Sequence, residues 1–279
     1  LWDEALQRHG ADGLAEDTRA ALHEARLTGA GHYLLNRHRL GEVRNILQGA
    51  GIPHVVFKGA DTRERYHRQP ALRPATDTDV LVAPGDKTRA IQAFTAQGYA
   101  LHATRENISH EASLIKGNTH IDLHWDILRP GRTATPMVET LLAMREDFGS
   151  HWGLAHPANL FVLLVHPVFA KYSTTPQAAL VRVVDLAHAL AHEAAPWQQV
   201  TDLLDAAGLN TAAWITLAWL QQLGCALPAA VPVAALQPGS LRRRYLAQWL
   251  RRDLASRLLQ RPALVQAGFT LPAHDTWAG

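Results

Sequence analysis

The stretch RPATDTDVLV, residues 73–82, constrains this chain more than any other. Val80-Leu81-Val82 is apolar and β-branched, the pattern of a strand meant for burial. Asp77 and Asp79 stand at its mouth, one residue apart. Residues two apart share a face of a strand, so both carboxylates project together with Leu81. Like charges that close repel, and a carboxylate buried without a partner is costly. Either a cation shares their charge or the strand end is solvated.

A second strand repeats the pattern. In HIDLHWDIL, residues 120–128, His120, Asp122, His124 and Asp126 alternate with Ile121, Leu123, Trp125 and Ile127. The apolar set is an ordinary core face, whereas the polar set carries more ionisable groups than a solvated strand needs. Three carboxylates from two strands could converge on divalent cations, and hard oxygen ligands suit Mg²⁺. Two such ions roughly 4 Å apart can clamp the attacking and leaving oxygens of a phosphoryl or nucleotidyl transfer. The spacing His120-x-Asp122-x-His124 would alternatively seat a transition metal and make a metal-dependent hydrolase. That reading lacks a third histidine motif and leaves Asp77 and Asp79 unexplained. Upstream, Lys58-Gly59 closes the apolar run IPHVVF. A glycine there permits close backbone approach to a ligand, and a lysine offers a point charge to phosphate.

Around these strands, residues 3–50 show helical spacing of leucines and valines, stopped by Gly49-Ala50-Gly51. A strand is predicted over 52–57, a helix or arginine-rich loop over 60–72, a strand over 79–82 and a helix over 87–98. Residues 112–116 and 120–127 form a strand pair about Gly117-Asn118, a hairpin-type turn. The alternation predicts an α/β or α+β core with a small mixed sheet. After Pro130, Ala, Leu and Trp dominate, with helical periodicity in 158–170, 177–194, 197–207, 211–223 and 240–260. The chain divides into an N-terminal helical segment, 1–50, a core, 51–135, and a helical domain, 136–279.

Composition narrows the function classes. The chain has 279 residues, 47% of them hydrophobic, enough for a sizeable core. Lys+Arg of 27 against Asp+Glu of 25 leaves a net charge of +2, so no nucleic-acid-binding stripe is read from it. The one cysteine, Cys225, excludes an intrachain disulfide and a Cys-rich zinc site. The N-terminal stretch is charged and lacks the apolar centre of a signal peptide, and the longest apolar run, 160–165, is far short of a membrane span. A cytoplasmic protein with no membrane partner is the expectation.

The segment FKGADTRERYHRQPALRPATDTDVLVAPGD, followed by HIDLHWDIL, resembles the uncharacterised nucleotidyltransferase family of the DNA polymerase beta-like superfamily. Weaker echoes run through LFVLLVH around His166 and LVRVVDLAHAL around Asp185, so the likeness covers roughly residues 50–190. It implies a nucleotidyltransferase core with an appended helical bundle. It implies Mg²⁺, as two ions, held by Asp77, Asp79 and Asp122, with Lys58, Gly59 and Arg73 near the triphosphate. Where the wider superfamily has Gly-Ser after the first strand, this chain has Gly59-Ala60, so no serine hydroxyl serves the phosphates. The gap to the first aspartate is also longer.

The resemblance implies transfer of a nucleoside monophosphate from an NTP to an unidentified hydroxyl-bearing acceptor, with release of pyrophosphate. Small molecule, sugar, peptide and protein side chain all remain open as acceptors, and a polynucleotide is the least expected. The alternative is a catalytically weak nucleotide- or partner-binding protein on the same fold. Several residues keep two readings. Lys58 contacts phosphate or pairs with one of the aspartates. Arg73 contacts phosphate or orders the loop by pairing with Asp77 or Asp79. His124 assists a metal or an incoming hydroxyl, or supports the site by hydrogen bonding. Arg63, with Arg65 and Arg68, is a solvated helix face or a basic rim on the acceptor side. His166 and Asp185 are read as buried polar contacts between the halves, the arginines at 242–244 and 251–252 as an exposed helix face, and the tryptophans as core.

Overall fold

The structure is a computed structural model that describes residues 13–102, 110–172, 176–192, 194–258 and 260–276. Residues 3–12 of the first expected helix, including Leu6, lie outside the described residues. From there a single helix, α1 (Glu16–Gly49), runs to the expected stop, where Gly51 turns the chain with φ +65°. The core follows as β1 (His54–Phe57), α2 (Lys58–Tyr66), β2 (Thr78–Val82), α3 (Lys87–Ala96), β3 (Ala100–His102), β4 (Glu111–Lys116) and β5 (Thr119–His124).

These strands form one sheet in the order β1-β2-β5-β4-β3. The β2–β5 pair is parallel and the rest are antiparallel, so the sheet is mixed, as expected. Period-two alternation splits its residues between two cores. Val56, Val80, Val82, Leu114, Ile121 and Leu123 pack with Leu40, Val43 and Leu47 of α1 and with Ala90 and Phe94 of α3. Val55, Phe57 and Leu81 face the other way, into a larger core built by the second half of the chain. Asp79 precedes Leu81 by two residues, so its side chain points toward that second half.

The second half is mainly helical: α4 (Val138–Ala143), α5 (His156–His166), α6 (Pro176–His192), α7 (Trp197–Ala207), α8 (Asn210–Gln222), α9 (Val233–Leu236) and α10 (Ser240–Arg251). Every residue of α5 is buried, which explains its near-continuous apolar sequence. Trp214 and Trp249 belong to this core, with Trp197 and Trp219 packed against it.

Several features depart from expectation. Strand β5 ends at His124, so Asp126 leaves the alternation, and its Oδ1 accepts the Ile127 amide at 2.8 Å. Lys58 opens α2 rather than closing a strand. The long last helix is broken by Asp253 at φ +47°, and Arg242 donates to the carbonyls of His274 and Asp275 instead of standing free. The short hairpin β6 (Arg145–Asp147) and β7 (Trp152–Leu154) had no readable alternation.

Candidate active site

The site begins at the junction of β1 and α2. Phe57 is extended, and Lys58 then adopts φ +57°, the left-handed region that a lysine rarely occupies. Such a conformation costs on the order of 1–3 kcal/mol and persists only where the surroundings enforce it. The helix that follows holds it, since the Thr62 hydroxyl donates to the Lys58 carbonyl. The turn sends the buried Lys58 ammonium to Asp79, with Nζ donating to Oδ1 at 2.9 Å. The His124 ring stands on the same oxygen, Nε2 at 2.9 Å, and 3.2 Å from the ammonium. Burial alone would raise the Asp79 pKa. Lys58 and His124 outweigh it and hold the carboxyl well below the usual range.

Asp122 is the neighbour of Asp79 across the parallel register. Its Oδ1 accepts the Ser113 hydroxyl at 2.7 Å and lies 3.3 Å from His120 Nε2. Burial raises its pKa, the charges of Asp79 and Asp77 add to the rise, and Ser113 and His120 oppose it. Two adjacent carboxylates thus sit in opposite electrostatic states, one fixed as an anion and one with heightened proton affinity. Asp77 is half-buried just before β2. Three oxygen donors that repel one another suit a hard divalent cation.

These groups line a cavity of about 270 Å³ together with cations from beyond the sheet: Arg129 and Arg132 after β5, and Arg182 of α6. Arg182 is 9% exposed, and its Nε and Nη1 are buried without a hydrogen-bond partner among the described residues. Nη1 stands 3.9 Å from Asp185 Oδ2. His166 also lines the cavity.

Arg73 does not pair with Asp77 or Asp79. Its Nε and Nη2 clamp Asp185 of α6 at 3.1 and 2.6 Å, and His67 Nε2 lies 2.9 Å from the same carboxylate. Asp185 joins the halves, as its sequence position suggested. Gly59 is explained by this cluster: a Cβ there would stand 2.9 Å from Arg73 Nη1 and 3.1 Å from Arg182 Nη1. The guanidinium groups fill the space a side chain would take. Arg63 and Arg65 are not a solvated face. Arg65 donates to the Leu154 carbonyl at 2.5 Å, and Arg63, 1% exposed, lines a different cavity beside α1. Arg68 is exposed.

The hydrolase trio does not form. Among the described residues, the His/carboxylate group whose ligand atoms lie within 4.8 Å of one another is His110, Glu111 and His124, not His120, Asp122 and His124. Glu111 Oε2 is 3.2 Å from His124 Nδ1 and 3.8 Å from His110 Nε2. Burial holds both imidazole pKa values down at about 4. If neutral His124 gives its Nε2–H to Asp79, Nδ1 faces Glu111 lone pair to lone pair, and a cation would relieve that contact.

Sequence reasoning missed His110, Glu111, Ser113, Arg129, Arg132 and Arg182. Two of these were within reach. Counting outward from the Gly117-Asn118 turn pairs Ser113 with Asp122 and Glu111 with His124. Arg182 reaches the site through the packing of α6, and Arg129 and Arg132 through the irregular segment after β5, neither of which leaves a periodic signal.

The model of a family described as uncharacterised nucleotidyltransferase matches residues 2–224. None of the curated proteins compared with the chain matches it.

Proposed function

The chain belongs to the uncharacterised nucleotidyltransferase family, and on that premise we propose that it transfers a nucleoside monophosphate from an NTP to a hydroxyl-bearing acceptor, releasing pyrophosphate. One observation carries the reading: the Asp79–Asp122 pair, in parallel register, opens into a cavity also lined by Arg129, Arg132 and Arg182. Acidic and cationic groups together match a metal–triphosphate, which presents both signs of charge. Asp77, Asp79 and Asp122 would hold Mg²⁺, which when bound neutralises triphosphate charge and acidifies a nearby hydroxyl.

The chain's own groups divide the remaining work. Asp122, whose proton affinity is raised, takes the proton from the acceptor hydroxyl. The freed oxygen forms a bond to the α-phosphorus as the bond to pyrophosphate breaks. Arg129, Arg132 and Arg182 bind phosphate oxygens. Lys58 keeps Asp79 ionised and in place, while Gly59 and Arg73 keep Arg182 at the phosphate side. No described helix is long and apolar enough to cross a membrane.

Calorimetric titration of each Mg²⁺-NTP into the wild type and the Asp77→Asn/Asp79→Asn double variant tests this. Metal-dependent binding in the wild type alone, followed by pyrophosphate release with an acceptor, is the expected result. A wild type that binds no nucleotide, with or without metal, overturns it.

A catalytically weak nucleotide- or partner-binding role is favoured by one feature. Lys58 opens a helix directly after β1 and occupies Asp79, so no phosphate-cradling loop follows that strand. Nucleotide binding without pyrophosphate release over a broad acceptor panel would decide for it.

A further inference from the structure

A second cavity of about 400 Å³ lies between α1 and the loop 71–76. Its lining includes Arg26, Arg63 and Arg73 but, among the described residues, no carboxylate. The rest is largely apolar, with Leu22, Ala25, Leu72 and Pro74. Arg63 is the unusual member. It is 1% exposed, yet its Nε and Nη2 are buried with no hydrogen-bond partner among the described residues. Its ionic neighbour among the described residues, Glu64, has Oε1, also buried without a hydrogen-bond partner, at 3.6 Å from Nε, and its Oε2 is shared between the Tyr33 hydroxyl at 3.2 Å and Arg37 at 3.9 Å. The Tyr33 ring centroid lies 5.2 Å from the Arg63 guanidinium.

A buried guanidinium with unfilled donors is costly, and a planar anion answers its forked geometry. We propose that this cavity is a binding site for an organic carboxylate with an apolar body, separate from the nucleotide cavity. The carboxylate approaches Arg63 from the cavity and competes with Glu64 for its Nε and Nη2 donors, and the apolar body lies along α1 against Leu22 and Ala25. An inorganic anion would leave that apolar lining in contact with water. The position gives the site a use. Asn36 of α1 donates to the Ala75 carbonyl at 2.7 Å, and the loop it pins runs directly into Asp77. Arg73 lines this cavity and clamps Asp185 on its other side. A ligand here therefore bears on the loop that presents Asp77.

The test is calorimetry on the full chain, in carboxylate-free buffer without nucleotide or metal, so it stands or falls apart from the nucleotide reading. Benzoate, hexanoate and indole-3-acetate are the probes, and benzamide is the neutral control. Expected are saturable binding of at least one carboxylate, none of benzamide, and weakening of about tenfold or more in Arg63→Gln, the loss of a charge-assisted pair. Should Arg63→Gln not fold, Gly29→Leu decides. Gly29 lies within α1 and lines the cavity, and a Cβ there meets the Ala71 carbonyl at 3.9 Å, an ordinary contact, so the helix admits a side chain at the point where leucine would occupy the cavity. Loss of carboxylate binding in that variant supports the site. The proposal is overturned if no probe saturates the wild type, or if both variants bind as the wild type does.

Discussion

Asp185 and Asp79 are both buried carboxylates that meet a cation and a histidine, yet they belong to different kinds of site. Asp185 is fully buried, clamped by Arg73 through two hydrogen bonds, with His67 beside it and, among the described residues, no second carboxylate in its cluster. Asp79 has Lys58 and His124, but Asp122 stands beside it in register and a cavity opens over both. Negative charge is sealed in the first cluster, where Asp185 is fully buried against Arg73 and, at 3.9 Å, Arg182. In the second it is crowded and accessible. A buried ion pair therefore says little by itself; the unbalanced neighbour and the open face mark the place where chemistry can occur.

The largest expected effect breaks the sealed cluster. Asp185→Ala leaves Arg73 buried and unpaired, with His67 also without its carboxylate. Removing one partner of such a pair costs about 3–5 kcal/mol. Urea denaturation should show that loss or a failure to fold, against a much smaller change for Asp77→Asn. Equal losses would abolish the distinction between the two clusters. The pH dependence follows from the same contrast. Asp185 has a depressed pKa in the fold: burial raises it, and His67 and Arg73 more than reverse that. Its contribution is therefore present above the unfolded carboxylate value and is lost as pH falls through the folded one.

Much of this contrast was legible in the sequence, and the reason is local. Asp77, Asp79 and Asp122 were expected together because strand alternation fixes which side chains share a face over two or three residues, and all three line one cavity. Lys58 was found because it closes an apolar run. Arg73 was read with the wrong partner because its partner lies 112 residues away, and no periodicity spans that separation. The β6–β7 hairpin escaped notice because three-residue strands are too short to alternate. The left-handed turn at Lys58 escaped too, since nothing in Phe-Lys-Gly assigns the positive φ to the lysine rather than the glycine.

The second effect has opposite signs on stability and activity. Asp122 has a raised pKa in the fold, so its ionised form destabilises the ligand-free protein, and that penalty disappears as pH falls through the folded value. Asp122→Asn removes the repulsion with Asp79 and Asp77. We expect it to stabilise the protein by roughly 0.5–2 kcal/mol at neutral pH, as substitutions at strained functional positions do. Nucleotidyl transfer should fall by about 10²–10⁴-fold, the range for losing a general base. Thermal unfolding and pyrophosphate release measure the two. A destabilised variant would show that Asp122 serves the fold, as Asp185 does.

The smallest effect sharpens the role of Asp122 without removing it. Ser113 donates to Asp122 Oδ1 at 2.7 Å and opposes the rise in its pKa. In Ser113→Ala that donor is gone, so Asp122 holds its proton to higher pH. The acidic limb of the pH–rate profile should move upward while activity on the plateau changes little, because a base that binds its proton more tightly is protonated over a wider range but abstracts as well once ionised. Asp77→Asn takes away a proposed Mg²⁺ ligand and so lowers the plateau, and in the activity that remains the lost repelling charge should move the same limb downward. Opposite displacements from two residues flanking one carboxylate identify Asp122 as the titrating base. A limb that stays fixed in both variants assigns the titration to another group and leaves Asp122 as a ligand only.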